Sequence, residues 1–237
     1  MATAKVKAIV IGGVNIKEKD RLITIFSLER GKMVVSMKGV RGEKAKLKSA
    51  KEIFCFGDFV IEEGKNSSIV TAVDVIDNFY ALTKTVDKYY EGCALLDIVS
   101  RVSSQEANPG LFIELLKALR CLCYEDVKKY YVVNKFLLNI FKSMGYGFLT
   151  DKCSSCGATL LKRYFNLEIG EIVCPNCKKA LCMPITESAY SVMRILDSAE
   201  YDKLSTIKFG GMGELQAFNL LSKNYEYRTG YPLMEIL

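Results

Sequence analysis

The chain has 237 residues, half of them hydrophobic and only four proline, so it supports one large domain or two to three small ones and argues against extensive disorder. Histidine is absent, which excludes the commonest general base and any histidine-containing metal site or catalytic triad. The net charge of +6 is uneven: residues 1–51 hold 13 Lys/Arg and 4 Asp/Glu, giving +9, and the other 186 residues carry −3. This asymmetry is typical of a polyanion binder, and the alternative is a merely solvated lysine-rich surface.

No apolar run reaches the roughly 18 residues that a membrane span needs, and the N-terminus lacks a signal-peptide pattern. We therefore expect a cytoplasmic protein with no membrane partner.

The first 80 residues carry strand patterns. Alternating or continuous apolar runs, bounded by turn residues, predict five strands at 5–11, 21–28, 32–37, 53–63 and 67–79. Gly31 lies in the hairpin turn between the second and third strands, and Gly57 is a candidate bulge. Five short strands fit a small closed or nearly closed β-barrel, for which an OB-fold is the best-known architecture and an SH3-like barrel the competitor.

Helical spacing replaces the strand pattern from residue 86 onwards. Apolar stripes predict helices at 86–99, 108–124, 130–145, 186–199 and 213–230. Thr186 suits a helix N-cap and Gly145 a helix end. The predicted fold class is α+β, with a β-barrel over 1–80, an α-helical domain over 81–237 and a cysteine cluster inserted at 150–182.

Two Cys-x-x-Cys pairs, Cys153/Cys156 and Cys174/Cys177, are separated by 17 residues. This spacing predicts a four-thiolate Zn²⁺ site, because each pair makes a tight turn and a hairpin turning at Glu168–Gly170 brings the turns together. An iron–sulfur cluster and reversible disulfides are the alternatives. Four thiolates fill the coordination shell and leave no open position, so we expect a structural rather than a catalytic metal.

The segment "KGVRGEKAKLKSAK" (38–51) has six Lys/Arg and one Glu. It follows a predicted strand and contains two glycines, which indicates a loop with long cationic side chains suited to phosphate contacts. Arg21 and Lys32, on neighbouring strands, extend the patch. Four phenylalanines of the predicted barrel either fill its interior or stack on bases: Phe26, Phe54, Phe56 and Phe59.

We find no phosphate-binding loop, no nucleophile elbow and no carboxylate cluster at metal spacing, and therefore expect no enzymatic activity. Three rival functions stay open on the residues alone. They are an RNA-binding translation or ribosome-associated factor with a structural zinc ribbon, a metal-dependent nuclease, and a thiol redox switch.

The order of these parts, a basic barrel followed by a helical body that contains four clustered cysteines, resembles the RecO family of bacterial recombination and DNA-repair proteins. Three stretches carry the resemblance: "KEKDRLITIFSLERGKMVVSMKGVRGEKAKL" near the N-terminus, "FKSMGYGFLTDKCSSCG" at the junction of a helix with the first cysteine pair, and "YEYRTGYPLMEIL" at the C-terminal end.

The resemblance implies an OB-fold that binds single- and double-stranded DNA without sequence preference, and a protein that anneals complementary strands. It also implies cooperation with RecR and single-stranded DNA-binding protein to help load RecA recombinase, in a nucleoid-associated setting. By position, DNA contacts centre on Lys38 and Arg41, with Arg21, Lys44 and Lys46 nearby. The zinc ligands map to the four paired cysteines. An acidic tail of the single-stranded DNA-binding protein needs an apolar pocket rimmed by cations, for which the candidates are Lys128, Lys129 and Lys135.

Overall fold

The computed structural model describes residues 2–42, 47–65, 67–209 and 211–236, with the backbone but not the side chain of Lys48. The chain packs as two compact units, Met1–Cys123 and Tyr124–Leu237. In the part of the chain that is described, no helix combines the length and the apolar character that crossing a bilayer requires.

Five strands of the first unit close into a barrel in the order β1-β2-β3-β5-β4, which is an OB-type arrangement. The pairs are antiparallel except for the short parallel contact of β3 with β5 at Ser36 and Ile69. The predicted bulge at Gly57 is confirmed by a register shift between Phe56 and Gly57. The strands are β1 (Ala2–Ile16), β2 (Asp20–Ser27), β3 (Gly31–Met37), β4 (Phe56–Glu63) and β5 (Ser68–Asp77).

Strand β1 extends five residues past its predicted end. Gly12 and Gly13 resemble a turn in the sequence, but they continue the pairing with β2 across a register shift between Val10 and Gly12. A Cβ atom on Gly13 would lie 2.8 Å from the carbonyl oxygen of Leu22, so the strands approach closely only because the residue is glycine. The extension carries the β1–β2 turn away from the barrel core.

Two helices, α1 (Val86–Val102) and α2 (Pro109–Tyr124), belong to the same compact unit as the barrel. The rings of Phe26 and Phe56 lie 6.0 and 6.2 Å from that of Phe112 on α2, measured between centroids. The interpretation of the barrel phenylalanines as core residues is confirmed, since all four are buried: Phe26, Phe54, Phe56 and Phe59.

The second unit combines three helices with a small sheet in the order β7-β6-β8. The predicted caps are confirmed: Thr186 Oγ1 accepts a hydrogen bond from the Ala189 backbone N–H at 3.2 Å, and Gly145 has a φ of +86° just beyond a helix end. The predicted α+β class is confirmed. The elements are α3 (Tyr131–Ser143), β6 (Arg163–Asn166), β7 (Glu171–Val173), β8 (Cys182–Ile185), α4 (Glu187–Ser198) and α5 (Gly213–Thr229).

Candidate metal centre and nucleic-acid interface

The four paired cysteines meet at one point of the second unit. Their sulfur atoms all lie within 4.8 Å of one another, and all four residues are free thiols. The Cys156 and Cys174 Sγ atoms are 3.8 Å apart. A tetrahedral ion with metal–sulfur bonds of about 2.3 Å places its sulfurs about 3.8 Å apart, so the donor set fits Zn²⁺ in both type and spacing.

Backbone amides and neighbouring thiols give these cysteines unequal acidities. Burial raises the pKa of the Cys153 thiol, but backbone N–H donors, first that of Cys174, outweigh it and lower the pKa to about 6. Contacts with the Cys156 and Cys174 thiols raise the pKa of Cys177 to about 12. The surroundings therefore favour the thiolate form of Cys153 and disfavour a second thiolate at Cys177. A divalent cation bound between the sulfurs would reduce this repulsion between thiolates.

Local turns explain why the sequence folds in this way. We call the turn at each Cys-x-x-Cys pair a knuckle. In the first knuckle the Gly157 N–H donates to the carbonyl oxygen of Cys153 at 2.8 Å, and the second knuckle is a short 3₁₀ turn over Pro175–Cys177. Strands β6 and β7 join the knuckles through the predicted turn, where Gly170 has a φ of +74°. Strand β8, which contains Pro184, pairs on the other edge of β6 and was not predicted.

Helix α5 contacts the hairpin of β6 and β7 through Arg228; this hairpin joins the candidate metal ligands, and we call it the metal-binding hairpin. The guanidinium donates from Nη2 to the carbonyl oxygen of Leu167 at 3.0 Å and lies 3.9 Å from the ring centroid of Tyr146. It also occupies the space beside Gly170, where a Cβ atom would come within about 2.4 Å of Nη2. The hairpin is therefore built into the helical body, as a structural metal site requires.

Helix α4 makes a second anchor at the start of the hairpin. The Tyr190 hydroxyl donates to Asp151 Oδ1 at 3.0 Å, and Arg194 Nη1 donates to Asp151 Oδ2 at 2.9 Å. The Arg163 guanidinium of β6 lies 3.9 Å from the centroid of the Tyr190 ring. Asp151 pairs with both arginines, 3.6 Å from Arg163 Nη2 and 2.9 Å from Arg194 Nη1, so this charged cluster has a structural role.

Two of the predicted DNA contacts, Lys38 and Arg41, lie at one end of the barrel, where the β1–β2 turn meets the loop after β3. The Arg41 N–H donates to the carbonyl oxygen of Lys19 at 3.0 Å. Its guanidinium Nη1 donates to the carbonyl oxygens of Lys17 and Glu18 at 3.2 and 3.0 Å. We call the four exposed cations at this end of the barrel, Lys17, Lys19, Lys38 and Arg41, the cationic corner.

The other predicted DNA contacts lie in different surroundings. Arg21 is half-buried, donates from Nη1 to Asn15 Oδ1 at 2.9 Å and lies against Gly13. Lys32 lies six residues from Lys38, roughly 20 Å along the strand, and its ammonium donates to the Ser100 carbonyl oxygen of α1 at 2.5 Å. Lys44 and Lys46 lie outside the described residues.

The three lysines predicted for partner binding differ in exposure. Lys128 is exposed, pairs with Glu214 and donates to the carbonyl oxygen of Phe209 at 3.2 Å. The Lys129 ammonium lies 5.4 Å from the ring centroid of the neighbouring Tyr130. Lys135 is buried and donates to the Asp197 carbonyl oxygen of α4 at 3.1 Å. The structure therefore brings only part of this set to the surface.

Comparison with known proteins places both parts of the chain in one family. Residues 1–79 match the family described as recombination protein O N terminal, and residues 84–235 match recombination protein O C terminal. A protein of Acetivibrio thermocellus named DNA repair protein RecO is 30% identical over 235 residues, covering 93% of each chain. A protein of the same name from Clostridium novyi is 29% identical over 194 residues, covering 81% of this chain and 76% of its own.

The chain belongs to the RecO family.

The two RecO matches cover different elements of the chain. The N-terminal match ends just after β5 and includes the cationic corner, and the C-terminal match includes all five helices and the four cysteines. The alternative of an RNA-binding translation or ribosome-associated factor finds no support in these matches.

Two cations of the RecO barrel escaped the sequence analysis. Lys17 and Lys19 lie in the turn "KEKD". Their charge contributes to the basic N-terminal region, but the apolar pattern predicts the end of β1 at residue 11 and therefore does not place this turn beside the basic loop. Once β1 is carried to Ile16, the turn comes to the same end of the barrel as the basic loop. The four consecutive charged residues of this turn, directly before β2, are the sequence signal that could have identified them.

Proposed function

We propose that this RecO-family protein is a non-enzymatic mediator of DNA recombination and repair. It binds single- and double-stranded DNA without sequence preference, anneals complementary strands, and helps load RecA recombinase together with RecR and single-stranded DNA-binding protein. Relatives named DNA repair protein RecO support the repair role. The observation that carries the proposal is the cationic corner of an OB-type barrel.

The mechanism is electrostatic. Two strands of DNA repel each other through their phosphates, and exposed ammonium and guanidinium groups on one loop cluster neutralise part of that charge. Lys17, Lys19 and Lys38 supply exposed ammonium groups, whereas Arg41 is fixed by backbone carbonyls and presents the rest of its planar guanidinium. Partial neutralisation lets complementary bases meet, and no bond is made or broken by the protein.

The metal has a structural part in this proposal. Cys153, Cys156, Cys174 and Cys177 would hold one Zn²⁺, which when bound offsets part of the thiolate charge and cross-links the two Cys-x-x-Cys turns. The hairpin then stays docked on α4 and α5 through Arg163 and Arg228. DNA binding by the barrel does not pass through the metal.

Partner binding is assigned to the helical part of the chain. Lys128, Lys129 and Lys135 remain our candidates for the acidic tail of single-stranded DNA-binding protein, with Lys128 the exposed member. We propose a cytoplasmic, nucleoid-associated protein in which the barrel of residues 1–80 contacts DNA and residues 81–237 contact other proteins.

A strand-annealing assay with single-stranded DNA-binding protein present tests the main proposal. The double variant Lys38→Ala/Arg41→Ala should weaken DNA binding and annealing by at least tenfold, equally for all sequences, because it removes two phosphate contacts. Lys17→Ala/Lys19→Ala should act in the same direction without removing any side chain that braces the loop. Unchanged annealing by both double variants would contradict the proposal.

The matched control is Lys117→Ala/Arg120→Ala. Both residues are exposed on α2. This variant therefore removes one lysine and one arginine charge at a place outside the cationic corner, and annealing should stay within about twofold of wild type. If about four to six phosphates are contacted, the slope of log K against log salt on single strands should be roughly −3 to −4. A slope near zero argues against phosphate contacts altogether.

A further inference from the structure

An acidic residue, Asp20, lies inside the cationic corner. It opens β2, directly after the lysine-containing turn, and its side chain is only 16% exposed. Its Oδ1 accepts a hydrogen bond from the backbone N–H of Gly39 at 2.9 Å, and its Oδ2 pairs with the Lys38 ammonium at 3.2 Å. One carboxylate therefore contacts both the backbone and a cation of the proposed DNA-binding loop.

The Oδ1 contact organises the loop. Gly39 has a φ of +64°, and the Gly42 N–H closes a turn onto the Gly39 carbonyl oxygen at 3.0 Å. The peptide that carries the Gly39 N–H fixes the direction in which Lys38 leaves β3. The Gly39 N–H, followed by Lys38, also holds the pKa of Asp20 below its usual range, so the carboxylate stays charged at neutral pH.

The Oδ2 contact acts against DNA binding. The Lys38 side chain is 51% exposed and thus reaches solvent, but part of its charge is already neutralised by Asp20. A DNA phosphate must share or displace that carboxylate, and a negative charge at this distance repels the phosphate as well. The same side chain places the lysine and limits how strongly it binds.

We propose that Asp20 is a positioning residue that fixes the described start of the loop after β3, from Lys38 to Gly42, through Oδ1 and holds DNA affinity down through Oδ2. This inference rests on the proposed DNA-binding function. Annealing needs strands that are held and then released, and a lysine that exchanges a carboxylate for a phosphate supplies such reversible contact. Among the described residues, Asp20 is the acidic side chain that contacts Lys38.

Two variants of equal charge separate the two roles. Asp20→Asn keeps an oxygen that accepts the Gly39 N–H but removes the charge beside Lys38. It should bind a short oligonucleotide about two- to fivefold more tightly than wild type, the worth of an exposed ion pair, with a salt slope steeper by roughly 0.7. Asp20→Ala removes the same charge and also the acceptor, so it should bind about two- to tenfold more weakly than Asp20→Asn at the same slope.

Hydrogen exchange of the Gly39 amide gives a readout independent of DNA. It should be faster in Asp20→Ala than in Asp20→Asn, whose exchange should match wild type. If Asp20→Ala is unstable, Asp20→Asn still tests the effect of the carboxylate on DNA affinity, because it retains the contact with the Gly39 backbone. Melting temperatures of both variants show whether the barrel remains folded.

The control for added charge is Asp58→Asn. Asp58 pairs with Lys5 and Lys7 at 3.0 and 2.7 Å, about ten residues back along β1 from the corner, or roughly 30 Å. At 0.1 M salt the Debye length is about 10 Å, so this variant should bind the same oligonucleotide within about 1.5-fold of wild type.

The outcomes separate the inference from the function on which it rests. Wild type that binds with a salt-dependent affinity, together with Asp20→Asn that binds no more tightly, overturns the inference alone. Identical affinity and identical Gly39 exchange in Asp20→Asn and Asp20→Ala overturn the positioning role. Wild type that does not bind DNA overturns the proposed function, and the inference with it.

Discussion

Gly170 shows how much a single residue without a side chain contributes to the metal-binding hairpin. Its φ of +74° is one that other residues rarely adopt, and its missing Cβ leaves room for the Arg228 guanidinium. The sequence analysis placed a turn here from the glycine itself. It gave no hint of Arg228, which arrives from a helix almost sixty residues further along the chain.

The residue-scale prediction concerns Gly170→Ala. A methyl group here both strains the backbone and pushes Arg228 off the Leu167 carbonyl oxygen, and a lost charged hydrogen bond adds to the strain. We expect the free energy of unfolding to fall by about 3 kcal/mol, measured by thermal or denaturant unfolding.

Gly230→Ala is its matched control. Gly230 has nearly the same φ, +76°, but nothing lies within 4 Å of the position its Cβ would take. It should therefore cost only the backbone strain, about 1–2 kcal/mol. Equal losses in the two variants would mean that Arg228 adjusts freely and does not anchor the hairpin.

Most elements were predictable because their apolar period persists over several turns or residues. The five strands and the five helices were all expected from that pattern, and Thr186 and Gly145 marked helix ends correctly. Both failures come from pairing with another strand. β1 continues through Gly12 and Gly13 because β2 pairs with them, and β8 forms around Pro184 because β6 offers an edge. Such tertiary pairing leaves no periodic signal in one sequence.

The functional residues were predictable only in part, for a related reason. The candidate metal ligands can be identified from the sequence because each Cys-x-x-Cys pair is a local turn with a fixed spacing. The cationic corner needs two loops far apart in sequence to meet, so Arg41 was predicted as a phosphate contact but not as the brace of the Lys17–Lys19 turn. The domain boundary at residue 80 stays a prediction.

The element-scale prediction concerns the metal-binding hairpin. Cys153→Ser should reduce bound zinc from about one per chain to near zero, because a tetrahedral thiolate site loses most of its affinity with one ligand. The melting temperature should fall by about 10 °C. Elemental analysis of protein purified under reducing conditions, together with calorimetry, measures both.

Cys182→Ser is the control at this scale. Cys182 is half-buried and accepts the Lys179 N–H through its sulfur at 3.3 Å, but it lies outside the group of four. Its zinc content should equal that of wild type. A metal-free wild type with intact dithiols would favour the redox-switch alternative instead.

At the scale of the whole molecule, the proposed DNA-binding surface of the barrel is cationic but offers no aromatic rings from its described strands. Four exposed cations of the barrel form the cationic corner at one end, while the strand phenylalanines, Phe26, Phe56 and Phe59, are buried. Barrels that bind single strands by base stacking expose such rings. Among the described barrel strands no aromatic ring is exposed, so we expect the proposed DNA contacts there to involve phosphates rather than base stacking on aromatic rings.

An oligonucleotide without bases tests this distribution. Oligothymidylate and an abasic strand of the same length should bind with affinities within about twofold of each other, because both present the same phosphates. Stacking is worth about 1–3 kcal/mol per base, so a base-reading surface would lose more than tenfold on the abasic strand. Fluorescence anisotropy with labelled strands makes the comparison directly.

The placement of aromatic residues also decides what light can report about this molecule. The chain has no tryptophan, and its 13 tyrosines all lie from Tyr80 onwards, after the last barrel strand. Ten of them fall in the Tyr124–Leu237 unit, so intrinsic tyrosine emission follows the unfolding of that unit above all. A tryptophan placed at Val34, an exposed position on β3, would give the barrel an optical signal of its own and let the melting of the two units be recorded side by side.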